Sequence, residues 1–267
     1  MSFLDSVDER YRVILCDIWG CAHDGVQLYP GAAERLQQWR DEGRTIILIT
    51  NAPRTAQAVA GQLDHLGLDR SLWDGIATSG EAGIERLRQA ERPVGFIGTE
   101  ADRANLEGRG VRIAGGDDFD ELACAGLDRI RRTVADYREE LQACAEADVL
   151  MHCLNPDRLV IRGELSEPCA GALADVYLEM GGRVEWYGKP YPAIYRHAMH
   201  LAGDPAPEEV LAIGDGLHTD MLGAARMGFD CVFVTGGIHR GEPFPEDFGP
   251  ANGLGNWRPV AVVDGLH

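Results

Sequence analysis

The stretch RVILCDIWGCAHDG, Arg12 to Gly25, decides how the chain is read. Val13, Ile14, Leu15 and Cys16 form an unbroken apolar run without polar alternation, the pattern of a strand buried on both faces of a parallel sheet. The run delivers Asp17 to its carboxyl end, and Gly20 follows closely enough to let the chain turn sharply. A carboxylate held at a strand tip before such a turn suits a nucleophile or a metal ligand.

The same pattern recurs outward from this stretch. Thr45–Thr50 is a β-branched run, and Asp74–Thr78, Pro93–Ile97, Val149–Cys153, Leu159–Ile161, Val210–Gly214, Cys231–Thr235 and Val260–Val263 also read as strands. Between them, helical spacing is found at Gly31–Asp41 (Ala32, Leu36, Trp39), Arg54–Leu66, Gly80–Ala90, Val134–Ala147, Pro168–Met180 and Asp220–Met227. Apolar strands alternating with amphipathic helices predict an α/β fold built on a parallel sheet. No repeat, low-complexity segment or composition break marks a linker, so pattern alone leaves one domain or two open.

Composition narrows the function classes. The 267 residues carry a formal net charge of −18, which repels nucleic acid and anionic membrane over the whole surface. A small phosphorylated partner stays compatible, because a bound cation and a few amides reverse the field locally. The seven cysteines are odd in number and show no CxxC spacing, and Cys16, Cys153 and Cys231 sit in apolar runs, as reduced structural thiols do. No apolar stretch reaches membrane-spanning length and the charged first twelve residues lack a signal-peptide core, so a soluble, cytoplasmic protein is expected.

Four segments end apolar runs with residues suited to phosphate and metal. They are Asp17 with its turn, Thr50-Asn51 in IILITNAPR, Lys189 in WYGKPYPAIYRHA, and Asp215 with Asp220 in VLAIGDGLHTDMLGAARMG. Each has a plain alternative: Thr50 as a helix cap, Lys189 as a solvated lysine, Asp215-Gly216 as a turn, Asp220 as a charge favoured at a helix N-terminus. Ligands in open α/β sheets bind outside the carboxyl ends of the strands, so the four ends together favour a site.

The order Asp17, Thr50-Asn51, Lys189, Gly214-Asp215…Thr219-Asp220 resembles the four motifs of the haloacid dehalogenase-like hydrolase superfamily. The stretch GDGLHTDMLGAARMG, the long insert between the second and third motifs, and Asn155-Pro156-Asp157 within it resemble its subclass IIA, whose members are mostly phosphatases. The resemblance implies a Rossmannoid core over residues 1–78 and 184–267 with an inserted C2-type α/β cap over 79–183. It also implies that Asp17 is the nucleophile, forming an aspartyl-phosphate. Mg²⁺ would be held by Asp17, the carbonyl of Trp19 and Asp215, with Asp220 supporting. Thr50 and Lys189 would grip the phosphoryl group, and the amides at Ile18, Trp19, Gly20 and Asn51 would complete the cradle. The cap would choose the small phosphorylated metabolite, with Arg54, Asn155, Asp157 and Arg158 as candidate contacts. Asn-Pro-Asp is equally a common turn, and Arg54 equally a solvated side chain. Members often dimerise through their caps, so a homodimer is implied as well.

One position departs from the family. Its second motif-one aspartate, which moves protons, is here Trp19, and an indole donates a hydrogen bond but has no usable acidity. Three readings stay open: His23 or Asp24 substitutes, only good leaving groups react, or the protein is a catalytically weak phosphoryl-ligand-binding or regulatory protein. For His23 and Asp24 the plain alternative is a polar hairpin. The superfamily's dehalogenases carry an aromatic residue at this position but lack the aspartate corresponding to Asp215, which argues against that activity here.

Overall fold

A computed structural model describes residues 2–162, 165–237 and 242–267. In chain order the first elements are β1 (Val13–Asp17), α1 (Ala32–Asp41), β2 (Thr45–Thr50), α2 (Ala56–Leu66) and β3 (Gly75–Thr78). There follow α3 (Ser79–Arg88), β4 (Gly95–Ile97), α4 (Glu100–Gly108), β5 (Glu121–Cys124), α5 (Arg138–Glu146), β6 (Leu150–Cys153), β7 (Leu159–Arg162), β8 (Leu165–Pro168), α6 (Ala170–Glu179) and β9 (Arg183–Trp186). The chain ends with α7 (Pro192–Leu201), β10 (Val210–Gly214), α8 (Leu222–Met227), β11 (Asp230–Val234), α9 (Phe248–Ala251) and β12 (Ala261–Val263).

Two compact units divide these elements. The first comprises Met1–Thr50, Val59–Ala77 and Tyr195–His267; the second comprises Asn51–Ala58 and Thr78–Ile194. The second takes in, beyond the span 79–183 read from sequence, the short segment 51–58 after β2 and residues 184–194. Thr78 shows the packing: its hydroxyl donates to the carbonyl of Arg54 at 2.6 Å and accepts from the amide of Glu81, capping α3. Gly80 is closely opposed, since a Cβ there would stand 2.4 Å from the carbonyl oxygen of Pro53.

The first unit is built on a six-stranded sheet in the order β12-β11-β10-β1-β2-β3, and the pairs β12-β11, β11-β10, β10-β1 and β1-β2 are parallel. Every residue of β1 and β10 is buried, so both faces are covered and the strands read as continuous apolar runs. The second unit holds a four-stranded parallel sheet, β4-β5-β6-β9, and an antiparallel pair, β7-β8. Its core has two faces. Leu122, Cys124, Met151 and Cys153 pack with Leu141, Leu173 and Tyr177 on one side, and Ala123, Leu154 and Tyr187 pack with Ile84, Leu87 and Leu106 on the other.

Strands β5, β8 and β9 and helices α4 and α9 are absent from the sequence reading. Arg183–Trp186 lies at a sheet edge with alternate residues exposed, so it shows no apolar run. Helix α4 buries only Asp102 and Leu106; its start is fixed by the reciprocal Thr99–Asp102 capping box rather than by an apolar stripe. Among the described residues no helix is long and apolar enough to cross a membrane.

Candidate active site

From β1 the first-unit sheet grows in two directions. The early chain adds β2 and β3 on one side, and the late chain places β10, β11 and β12 on the other. Strand order therefore reverses between β10 and β1, where open α/β sheets leave a crevice at the carboxyl edge. Asp17 is the last residue of β1, Thr50 the last of β2, and Asp215 directly follows β10. The registers Cys16↔Ile213 and Asp17↔Ile49 bring these three strand ends together, and all three side chains are buried.

Carboxylate oxygens of Asp17 and Asp215 and the Sγ of Cys21 lie within 4.8 Å of one another. Backbone closes tightly around Asp215. A Cβ on Gly20, whose φ is +89°, would stand 2.1 Å from Asp215 Oδ2, and one on Gly237 would stand 1.9 Å from it. Only glycine permits both the approach and, at position 20, the left-handed backbone. Two buried carboxylates this close repel each other and are costly to desolvate, so the donor set fits a divalent cation. Burial, and then the charges of Asp215 and Asp17, push the Cys21 thiol well above its ordinary value. Cys21 is the site residue that sequence reasoning missed. Its signal is the tight turn itself, in which the amides of Ala22 and His23 both donate to the carbonyl of Ile18.

Asp220 stands behind this cluster. It lies in a π-helical turn, Leu217–Met221, where the amides of Asp220 and Met221 both donate to Gly216. Its Oδ2 accepts from the amide of Gly216 and the hydroxyl of Thr219, both at 3.1 Å. Gly214 is pressed against it, since an added Cβ would stand 2.2 Å from Asp220 Cγ. Asp220 thus ties down the loop that begins at Asp215.

The loop after Asp17 is a small hairpin. Its isolated bridges pair Trp19 with His23 and His23 with Leu28. The Trp19 ring lies over Gly25, where a Cβ would be 2.3 Å from its edge, and meets the His23 ring edge-on at 5.2 Å between centroids. The Gly20 amide donates to the His23 carbonyl at 2.9 Å, so this amide, expected from sequence in the phosphate cradle, is engaged inside the hairpin. His23 is buried, its Nδ1 accepts from the Gly25 amide, and desolvation pushes its pKa down to about 4. Asp24 Oδ1 accepts from the amides of Val26 and Gln27, and backbone hydrogen bonds led by that of Gln27 lower its pKa. At neutral pH the imidazole is uncharged and the carboxylate ionised, so neither is poised as a general acid. Both serve the hairpin.

The remaining sequence candidates belong to the second unit. Buried Asn51 accepts from the amide of Lys189 at 2.7 Å through Oδ1, and its Nδ2 donates to Asp157 Oδ1 at 2.8 Å. Asn155 Oδ1 accepts from the Asp157 amide at 3.1 Å, an Asx turn that shapes the Asn-Pro-Asp segment. Gly188 lets these pieces meet, as a Cβ there would be 2.4 Å from Pro156 Cδ. Arg54 faces Asp102 at 3.7 Å with its side chain partly exposed, and Arg158 makes a two-pronged ion pair with Asp175. Asn51, Asn155 and Asp157 thus hold the backbone around Lys189, which is itself buried.

Comparison with known proteins places this geometry. Family profiles described as haloacid dehalogenase-like hydrolase and HAD-hydrolase-like match residues 14–112 and 186–267. The chain is similar to the ribonucleotide monophosphatase NagD of Escherichia coli (strain K12), with 30% identity over 84% of this chain and 88% of that protein. A solved haloacid dehalogenase-like hydrolase from Brucella suis 1330 superposes with a TM-score of 0.86 at 33% identity, covering 100% of both chains. The glycerol phosphate phosphatase of Mycobacterium tuberculosis, solved in complex with calcium, shares the fold with a TM-score of 0.73 at 24% identity, covering 100% of this chain and 75% of that one. The chain belongs to the haloacid dehalogenase-like hydrolase superfamily, in its subclass IIA.

Proposed function

We propose that this chain hydrolyses phosphoric monoesters of small metabolites through an aspartyl-phosphate on Asp17. The observation that carries the reading is the convergence of Asp17, Thr50 and Asp215 at the strand-order reversal of one sheet. Phosphatase activity is also what the names of the E. coli and mycobacterial relatives state of those proteins.

An Asp17 carboxylate oxygen attacks phosphorus, and the bond from phosphorus to the leaving oxygen breaks. Water then attacks the phosphorus of the aspartyl-phosphate, releasing phosphate and restoring Asp17. Thr50 donates to a phosphoryl oxygen, and the resemblance gives Lys189 the same phosphoryl group, with Asn51 fixing the lysine's backbone. Asp17, Asp215 and the Trp19 carbonyl would hold Mg²⁺, which would offset phosphoryl charge when bound; the mycobacterial relative's calcium supports a divalent cation. Asp220 keeps Asp215 in place. With Trp19 at the acid/base position and His23 and Asp24 occupied in the hairpin, the leaving group departs with little proton help. Esters with good leaving groups are therefore the favoured substrates. The second unit serves as the cap that selects among them, and the family resemblance carries a homodimer, which light scattering tests.

The test is turnover of a phosphomonoester panel with Mg²⁺. Activity that disappears in Asp17→Asn supports the enzyme. Ligand binding without turnover above that variant transfers the fold to a phosphoryl-binding protein.

A further inference from the structure

The hydrolase reading calls for a hard cation held by oxygens, yet one of the three donors gathered at the strand tips is sulfur. Asp17, Cys21 and Asp215 are all buried, and their ligand atoms lie within 4.8 Å of one another. A zinc-type ion takes sulfur at about 2.3 Å and carboxylate oxygen at about 2.0–2.2 Å in a tetrahedral arrangement, so neighbouring donors stand roughly 3.4–3.6 Å apart. Inward movement on the order of 1 Å would let one ion touch all three atoms. The Ile18 carbonyl accepts from the amides of Ala22 and His23, which fixes the backbone that carries Cys21. A cavity of about 530 Å³ lies beside the turn, its lining including Gly20, Cys21, Tyr29 and Thr235.

We propose that Asp17, Cys21 and Asp215 form a mixed sulfur–oxygen site that captures a thiophilic divalent cation of the Zn²⁺ class. The inference stands on the geometry of the first unit and does not require turnover, although it shares two carboxylates with the proposed Mg²⁺ site. Mg²⁺ prefers oxygen and water and leaves the sulfur protonated. A thiophilic ion displaces the thiol proton to solvent, forms the metal–sulfur bond, and gains affinity from a ligand that Mg²⁺ does not use. The two ions therefore compete for Asp17 and Asp215, and the softer one holds the nucleophile in a ligand role.

Titration with Co²⁺, a spectroscopic stand-in for Zn²⁺, reads the metal–sulfur bond directly. The native protein is expected to develop a near-ultraviolet thiolate-to-cobalt charge-transfer band that Zn²⁺ abolishes by displacement. Cys21→Ser and the volume-conserving Cys21→Val should lack the band and bind Zn²⁺ at least about tenfold more weakly by calorimetry, the smallest loss that removing even a supporting group usually causes. Cys231→Ser, altered at a buried cysteine in β11, should keep it. A folded Cys21 variant that retains the band and the native Zn²⁺ affinity overturns the proposal, and so does a native protein without any band. If Cys21→Ser does not fold, Cys21→Val and the native titration still decide. A band without phosphatase turnover keeps this site and removes the enzyme reading, whereas turnover without a band does the reverse.

Discussion

Gly20 is so close to Asp215 that a Cβ on it would stand 2.1 Å from the carboxylate's Oδ2, and its φ of +89° excludes a side chain for a second, independent reason. Loop and carboxylate are thus fitted to each other by the absence of one carbon. Gly20→Ala should displace Asp215 and lose most Mg²⁺ binding by calorimetry. The left-handed backbone alone should cost about 1–2 kcal/mol in denaturant unfolding. A variant with native metal affinity would mean that the loop is looser than this packing implies.

Asp215 and Asp220 should differ in kind. Asp215 belongs to the cluster with Asp17 and Cys21, while Asp220 is engaged by Gly216 and Thr219. Asp220→Ala should weaken Mg²⁺ by about 10- to 100-fold, the usual effect of losing a supporting residue. Asp215→Ala should weaken it further still. Equal losses would place Asp220 among the direct ligands.

The fold is legible in the sequence where strands are buried on both faces. Val13–Asp17, Thr45–Thr50 and Val210–Gly214 are rich in apolar residues because successive side chains, which point to opposite faces, are nearly all buried, and their bounds in the structure agree with the sequence within a residue. Edge strand β9 has no such signature, since alternate residues along it are exposed. The strand-end aspartates are legible for the same reason: a charged residue at the end of an apolar run stands out. Cys21 is not, because a cysteine inside a glycine-rich turn looks like any small buried side chain until the turn brings it to two carboxylates. Nor does sequence reveal that Asn51 and Asp157, more than a hundred residues apart, hold each other.

Asn51→Ala should remove the acceptor of the Lys189 amide and the donor to Asp157. Leaving a buried amide unsatisfied costs about 1–3 kcal/mol, measurable by urea denaturation. Because the lost contact frames Lys189, the variant should also bind inorganic phosphate more weakly than the native protein. Unchanged stability would show that water replaces Asn51 without penalty.

His23 should make the protein acid-sensitive. Its pKa falls from 6.5 to about 4 on folding, so between those values the unfolded chain binds more protons than the native one. Stability from this group is complete above pH 6.5 and is lost as pH falls through about 4. The loss amounts to at most about 3 kcal/mol at 1.36 kcal/mol per unit. His23→Gln should unfold at urea concentrations that fall less steeply between pH 7 and pH 4 than those of the native protein. Parallel curves would place the acid sensitivity elsewhere.

Trp19 should leave its mark on the leaving group. Without a proton donor, the rate of phosphoryl-enzyme formation should drop steeply as leaving-group pKa rises, so aryl and acyl phosphates react faster than alkyl ones. General acid help is worth about 10²–10⁴ in rate, and Trp19→Asp should recover part of that for alkyl esters and flatten the slope. A shallow slope in the native protein would mean that another group supplies the proton.

The most direct test of the central claim is to quench the native protein during turnover of an aryl phosphate with Mg²⁺ and weigh its peptides. One phosphoryl group should appear on the peptide that carries Asp17, should vanish on hydroxylamine treatment as an acyl phosphate does, and should be absent from Asp17→Asn. Steady turnover in a protein whose Asp17 peptide never gains that mass, or turnover that survives in Asp17→Asn, would contradict the account.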